Sequence, residues 1–259
     1  WPDPIESEKT PDGKFKLAQL VRANRELERI CRAYRLPCVS GKDSMKNDYG
    51  VWPNKISIPP TMLFSLFGNH ADVRNTATSN FKQHGQRIYL VGNSKNELGA
   101  SEVAYHLNEK NLVDGIGGNV PRLPEPERQL DIYRRLSKTI QEGLIRTAHD
   151  CSEGGLAVAV AEMCIGGRLG AIIDIDGIGE GDSFSRLWSE SLGRIIVAVD
   201  AEHEMQFIEA MSDADIHLIG MVTDSQNLII EDGYDELIQA DVAGLTKSWK
   251  EALDMTGGV

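Results

Sequence analysis

His149-Asp150-Cys151-Ser152-Glu153-Gly154-Gly155-Leu156-Ala157 carries two carboxylates, a hydroxyl and two adjacent glycines in one short stretch. The run that follows, Leu156 to Cys164, is rich in Ala, Val and Met, so the polar loop opens into a buried helix. Carboxylate oxygens suit hard divalent cations, and glycines at a helix N-terminus turn amide N–H groups toward phosphate. This combination predicts a phosphate and magnesium corner. The same residue types also suit a structural role, with Ser152 or Asp150 capping the helix and Asp150 balancing its dipole, and composition alone leaves both open.

Working outward, Glu127 to Glu142 places Leu130, Tyr133, Leu136 and Ile140 at helical spacing, and Leu112 to Pro126 is a Gly- and Pro-rich loop. Arg87 to Val91, Ala171 to Ile175 and Arg194 to Val199 read as strands and His203 to Ser212 as a helix. His217 to Thr223 and Asn227 to Glu231 read as a closing hairpin or strand pair. Such intermixing predicts an α+β domain with helices on one face of a mainly antiparallel sheet. Upstream, Lys16 to Tyr34 is an amphipathic helix ended by Pro37, and Cys38-Val39 a short strand-like step. Residues 56–68 form an apolar run expected to be a core strand, and Asn69 to Gly85 a polar connector. A boundary near residue 80 divides 1–80 from 81–259. No internal repeat is evident.

Two further loops offer chemistry. Ser40-Gly41-Lys42-Asp43-Ser44 joins a flexible position, a cation and two hydroxyls, which suits an anion site or an ordinary turn. It lacks the GxxxxGK spacing of a Walker A loop. Trp188-Ser189-Glu190-Ser191-Leu192-Gly193-Arg194 precedes a strand, and Arg194 suits either bidentate phosphate binding or a surface turn at a strand edge.

The 259 residues carry a formal charge of −12, with 41% hydrophobic and 25% charged residues. A globular chain with scattered Lys and Arg and this net charge is a poor partner for nucleic acid. Four cysteines, at 31, 38, 151 and 164, form neither a CxxC pair nor a Cys/His alternation, so no zinc site or disulfide framework is expected. No apolar run reaches the roughly 20 residues a bilayer-spanning helix needs. A soluble, cytoplasmic protein with reduced thiols is the expectation. His70, His84, His106, His203 and His217 lack metal-site spacing.

Four stretches, taken in order, resemble one family, the formylglycinamide ribonucleotide amidotransferases (phosphoribosylformylglycinamidine synthases), over their second half. They are Pro4-Ile5-Glu6-Ser7-Glu8-Lys9-Thr10-Pro11-Asp12-Gly13, Val39 to Asp48, His149 to Ala157 and Ser189 to Arg194. The third also resembles the wider aminoimidazole ribonucleotide synthetase superfamily, which includes selenophosphate synthetase and thiamine monophosphate kinase. The resemblance implies a PurM-like α+β fold, with a partial N-terminal-type domain followed by a complete C-terminal-type domain. It implies ATP and Mg2+ as cofactors, and an ATP-dependent ligase that phosphorylates an amide oxygen and lets glutamine-derived ammonia displace the phosphate. The family's catalytic histidine lies in the first half, so no catalytic residue is expected in this chain.

The resemblance further implies that Gly41 and Lys42 contact nucleotide and Ser44 contacts substrate. Because an ammonium cannot ligate a metal, Lys42 falls to phosphate. Asp150 matches a magnesium position and Ser152 a nucleotide position of a second, auxiliary site. Implied partners are the N-terminal domains of the same enzyme, a glutaminase domain or subunit and, in short forms, a small accessory subunit. A second implied reading is a structural half that binds nucleotide without turnover, and a third is another ATP-using synthetase of the superfamily. The turn Glu97-Leu98-Gly99-Ala100-Ser101 departs from the family's glycine pair at Ala100, whose methyl hinders close backbone approach.

Overall fold

The computed structural model describes residues 1–50, 53–70, 72–110, 112–113 and 115–251. The chain divides into two compact units, Trp1–Ala71 and Asp72–Val259.

In the first unit, α1 spans Gly13–Tyr34 and ends on Arg35, whose φ of 57° turns the chain out of the helix two residues before Pro37. Residues 5–13 fold into a tight knot. Thr10 is buried, its Oγ1 donates to the Ile5 carbonyl at 2.5 Å, and it shares a 2.8 Å hydrogen bond with Ser7. Gly13 is a glycine because a Cβ there would sit 2.3 Å from the Glu6 nitrogen. The two-residue strands β1, Asp48–Tyr49, and β2, Ile56–Ser57, pair antiparallel.

Two expectations fail in this unit. Cys38-Val39 is not a strand, and the core strand foreseen over 56–68 is reduced to Ile56–Ser57. Beyond it the Ile58 N–H still reaches the Asn47 carbonyl at 3.4 Å, but among the described residues 59–70 no strand continues, and Leu63 and Phe67 are 91% and 92% exposed. An apolar composition alone does not make a strand. Pro59 and Pro60 have no N–H to donate, so the run cannot sustain pairing across them.

The second unit is built on a seven-stranded sheet in the order β4-β6-β3-β7-β5-β8-β9. Its strands are β3 Arg87–Val91, β4 Ile145–Asp150, β5 Gly170–Asp174, β6 Ile195–Val199, β7 Ile216–Thr223, β8 Asn227–Asp232 and β9 Asp235–Asp241. Neighbours run antiparallel except β5 and β8, which are parallel. The helices are α2 Glu102–Glu109, α3 Pro126–Gln141, α4 Gly155–Gly167, α5 Ser183–Trp188, α6 Glu204–Ala210 and α7 Val242–Glu251.

Side chains alternate along a strand, so β3 sends Ile88 and Leu90 to one face and Tyr89 and Val91 to the other. The first pair joins a core with Leu156, Val160 and Met163 of α4, Leu187 of α5 and Val242 of α7. The second joins Ile132 and Leu136 of α3 with Phe207 of α6 and Met211 at its C-terminal end. Helices therefore cover both faces, not the one face expected. A strand buried on both sides cannot show a polar/apolar alternation, and Ile195–Val199 is in fact apolar throughout.

The α+β class stands. The hairpin expected from β7 and β8 does not form, because β5 lies between them; the hairpin partner of β8 is β9, across Gly233-Tyr234. Among the described residues no helix is long and apolar enough to cross a membrane.

Candidate functional site

β4 delivers Asp150 to the edge of an open cleft of about 500 Å³, whose walls include Gly99, Ala100, Pro121, Tyr133, Ser152 and Glu190. Asp150 is placed by register, lying opposite Ile195 at the start of β6. Its Oδ2 accepts the Ser152 hydroxyl. That bond is the main reason its carboxyl is held below the usual range; partial burial opposes the effect, and the neighbouring His149 adds to it. A depressed carboxylate keeps its charge until pH falls through the lowered value, and whatever its charge stabilises is lost only there. Ser152→Ala removes the largest cause, so the Asp150 midpoint in a carbon-detected NMR titration is expected to rise toward the ordinary Asp value. An unmoved midpoint would sink this account.

His149 stands between two carboxylates. One ring nitrogen lies 2.7 Å from Glu162 Oε2 on α4 and the other 3.4 Å from Asp150 Oδ1. Strand β4 and helix α4 are thus tied through one imidazole. Thirteen residues separate His149 from Glu162 and no fixed spacing announces the pair, so only the fold reveals it.

Neither Ser152 nor Asp150 caps α4. The N-cap is Gly154, with φ 78°, and no side chain caps the helix there. The Ser152 hydroxyl is turned to Asp150 instead, and the chain makes its left-handed turn at Gly154 and Gly155 after both residues. The Gly154 N–H donates to Glu190 Oε1 at 2.9 Å, and the same oxygen accepts the Glu102 N–H at the start of α2, also at 2.9 Å. One carboxylate therefore sits on the first amides of two helices, where their dipoles favour negative charge. Ser101 caps α2 by accepting from the Ala104 N–H at 3.2 Å.

Arg194 is not a surface residue. It is 1% exposed, with Nε donating to the Ser191 carbonyl at 3.1 Å, Nη1 to Ser94 Oγ at 2.7 Å and Nη2 to the Ser189 carbonyl. A guanidinium spent on three internal acceptors has little left for a phosphate. Burial also pushes its pKa below the usual arginine value. Ala100 takes the backbone conformation a glycine would, at φ 59°, and its methyl forms part of the cleft wall. Cys151 is itself a wall residue, only 7% exposed, and burial raises its thiol to about 11, leaving it protonated.

Gly41, Lys42 and Ser44 belong to the first unit, and Asp150 and Ser152 to the second. Lys42 Nζ donates to the Asp43 carbonyl at 3.0 Å and to the Ser44 hydroxyl, so the loop closes on itself. A Cβ on Gly41 would meet nothing within 4 Å, so local packing does not require glycine there.

Among the described residues, no three His, Cys, Asp or Glu side chains are grouped to hold a metal. Magnesium commonly takes one or two carboxylates and completes its shell with water and substrate phosphate. Asp150, exposed and held charged, fits that mode.

The family model for the AIR synthase related protein, C-terminal domain, matches residues 83–233. Solved structures of similar fold include Thermotoga maritima PurL complexed with FGAR, at TM-score 0.57 and 19% identity, covering 67% of this chain and 30% of that one. The same protein complexed with ATP gives TM-score 0.54 and 18% identity, over 67% of this chain and 28% of that one. T. maritima phosphoribosylformylglycinamidine synthase II gives TM-score 0.53 and 19% identity, over 66% and 27%. This chain thus spans less than a third of the length of these relatives, and the likeness is one of fold. With the family model covering more than half of its residues, the chain belongs to the AIR synthase related protein family and carries that family's C-terminal domain.

Proposed function

We propose that this chain is part of an ATP-dependent C–N ligase of purine biosynthesis, converting formylglycinamide ribonucleotide, ATP and glutamine-derived ammonia to the amidine, ADP and phosphate. The observation that carries the proposal is the cleft edge at Asp150 and Ser152, where a carboxylate held charged stands beside a helix N-terminus in a fold shared with a PurL that binds ATP and FGAR. In this reading the substrate amide oxygen takes the γ-phosphoryl group of ATP, ammonia adds to the same carbon, and the C–O bond breaks to release phosphate. Magnesium, when bound, offsets phosphate charge. Asp150 holds it; Ser152 fixes the rotamer of that carboxylate and contacts nucleotide. Gly41 and Lys42 meet phosphate and Ser44 meets substrate, in a chemistry completed by the N-terminal domains of the same enzyme, a glutaminase and, in a short form, a small accessory subunit.

A second reading is a half that binds nucleotide for structure and does not turn over. Because the Glu190 carboxylate already takes the first amides of α2 and α4, a nucleotide in the cleft would be held through Asp150 and Ser152 and not through those amides. In this reading the cleft holds magnesium-ADP as a fixed part of the fold.

Calorimetric titration with magnesium-ADP and magnesium-ATP tests both. Wild-type chain is expected to bind, Asp150→Ala to weaken binding by about 10- to 100-fold, in the range seen for lost metal-site groups, and Ser152→Ala by less. Turnover in the assembled enzyme that survives Asp150→Ala supports the structural half; turnover lost with binding supports the catalytic one. No binding by folded wild-type chain sinks both.

A further inference from the structure

Cys31, in the last turn of α1, and Cys38, just past Pro37, are brought to an Sγ–Sγ distance of 3.6 Å. The Arg35 turn does this, reversing the chain so that a residue seven positions on returns beside the helix end. Both thiols line an open cleft of about 550 Å³ within the first unit, together with Arg32, Arg35 and Glu28. Cys38 is exposed and Cys31 half-buried, whereas Cys151 and Cys164 are buried. Cys151 is only 7% exposed and Cys164 fully buried, which hinders access to both; the Cys31 thiol is itself pushed up, chiefly by its hydrogen bond to Cys38. The four cysteines thus separate into a more accessible touching pair and two buried singles, a division that sequence spacing did not show.

We propose that Cys31 and Cys38 are a thiol–disulfide exchange site that accepts a low-molecular-weight disulfide of the glutathione class and closes to an intramolecular disulfide. The Cys38 thiolate, the more open of the two, attacks one sulfur of the small disulfide and releases one thiolate, leaving a mixed disulfide on Cys38. The Cys31 thiolate then attacks Cys38 Sγ and displaces the second small thiolate. One small disulfide is reduced to two small thiols, which take up the two protein protons, and the two protein thiols are oxidised to one disulfide. The sulfurs close from van der Waals contact to a bond of about 2.05 Å, a movement within reach of χ1 rotation at both residues. Arg32 and Arg35 favour approach of the anionic reagent, although Arg32 is partly offset by its 2.9 Å contact with Glu28.

The position gives the bond a consequence. Val39 follows Cys38 directly and leads into Ser40-Gly41-Lys42-Asp43-Ser44, so the disulfide anchors the entrance of that loop to the end of α1. Its closed and open states differ in how far residues 39–44 can move.

The test uses the full chain, incubated without oxygen with oxidised glutathione, alkylated and digested with trypsin without reduction. The expected product joins Ile30-Cys31-Arg32 to the peptide Leu36 to Lys42, two hydrogens lighter than the reduced pair, with Cys151 and Cys164 unmodified. Cys31→Ser is expected to trap the glutathione adduct on Cys38, with far-ultraviolet dichroism unchanged. A wild-type chain that keeps glutathione on Cys38 with Cys31 free, that takes up none, or that modifies Cys151 as fast as Cys38 overturns the proposal.

Discussion

Gly155→Ala is expected to destabilise the second unit by about 3 kcal/mol or more, through overlap and a left-handed backbone together. Gly155 has φ 66°, and a Cβ there would lie 2.5 Å from the Ser189 carbonyl and 2.7 Å from the Leu187 carbonyl. Neither oxygen belongs to a flexible side chain. Helix α4 would have to lift off the 187–189 segment, loosening the core that Leu156 and Val160 share with Leu187. For a unit of this size the midpoint of thermal unfolding should fall by roughly 6–12 °C. A midpoint within two degrees of wild type would falsify the packing role and return the glycine pair to a purely ligand-facing one. The neighbouring Gly154→Ala is strained as well, since at φ 78° its Cβ would strike Val158 Cγ2 at 2.3 Å and Cβ at 2.9 Å, and a helical valine has little freedom to turn away.

Arg194→Met should cost about as much, roughly 3–5 kcal/mol, the range for stripping a buried charged group from its partners. Methionine matches much of the stem but returns none of the donors. The carbonyls of Ser189 and Ser191 and the Ser94 hydroxyl would lose the bonds that hold the 188–194 segment against the loop after β3. Arg194→Lys should recover only a minor part, because a single ammonium does not span three acceptors placed for a planar fork. Urea unfolding of the three proteins decides it: a loss under about 1 kcal/mol for the methionine variant would mean that the acceptors find other donors.

Both residues show where sequence was legible and where it was not. The helix after Gly155 and the strands at 87–91, 171–175 and 194–199 were readable because runs of apolar residues bounded by turn formers have few other uses. The α+β class followed from their alternation with helices. The burial of Arg194 is not legible, because a residue at a strand entrance gives no local sign of it; its three acceptors come from 94, 189 and 191, and only the fold brings residue 94 there. The strand at 145–150 escaped notice for a related reason. Ile-Arg-Thr-Ala-His-Asp alternates weakly, and its pairing with β6 lies some fifty residues away in the chain. In the candidate site, Asp150 and Ser152 were legible as a motif. The links from His149 to Glu162 and from Glu190 to two helix starts were not, since nothing local couples them.

The middle of the sheet also imposes an order of events on a chain emerging from the ribosome. β3, at 87–91, takes its two neighbours from 195–199 and 216–223. For more than a hundred residues of synthesis its apolar side chains have no edge to join, and helices α2 to α5 appear before the strand pairs that they will cover. Vectorial synthesis therefore holds back the centre while the periphery accumulates, a delay that makes residues 87–91 the natural landing place for a chaperone.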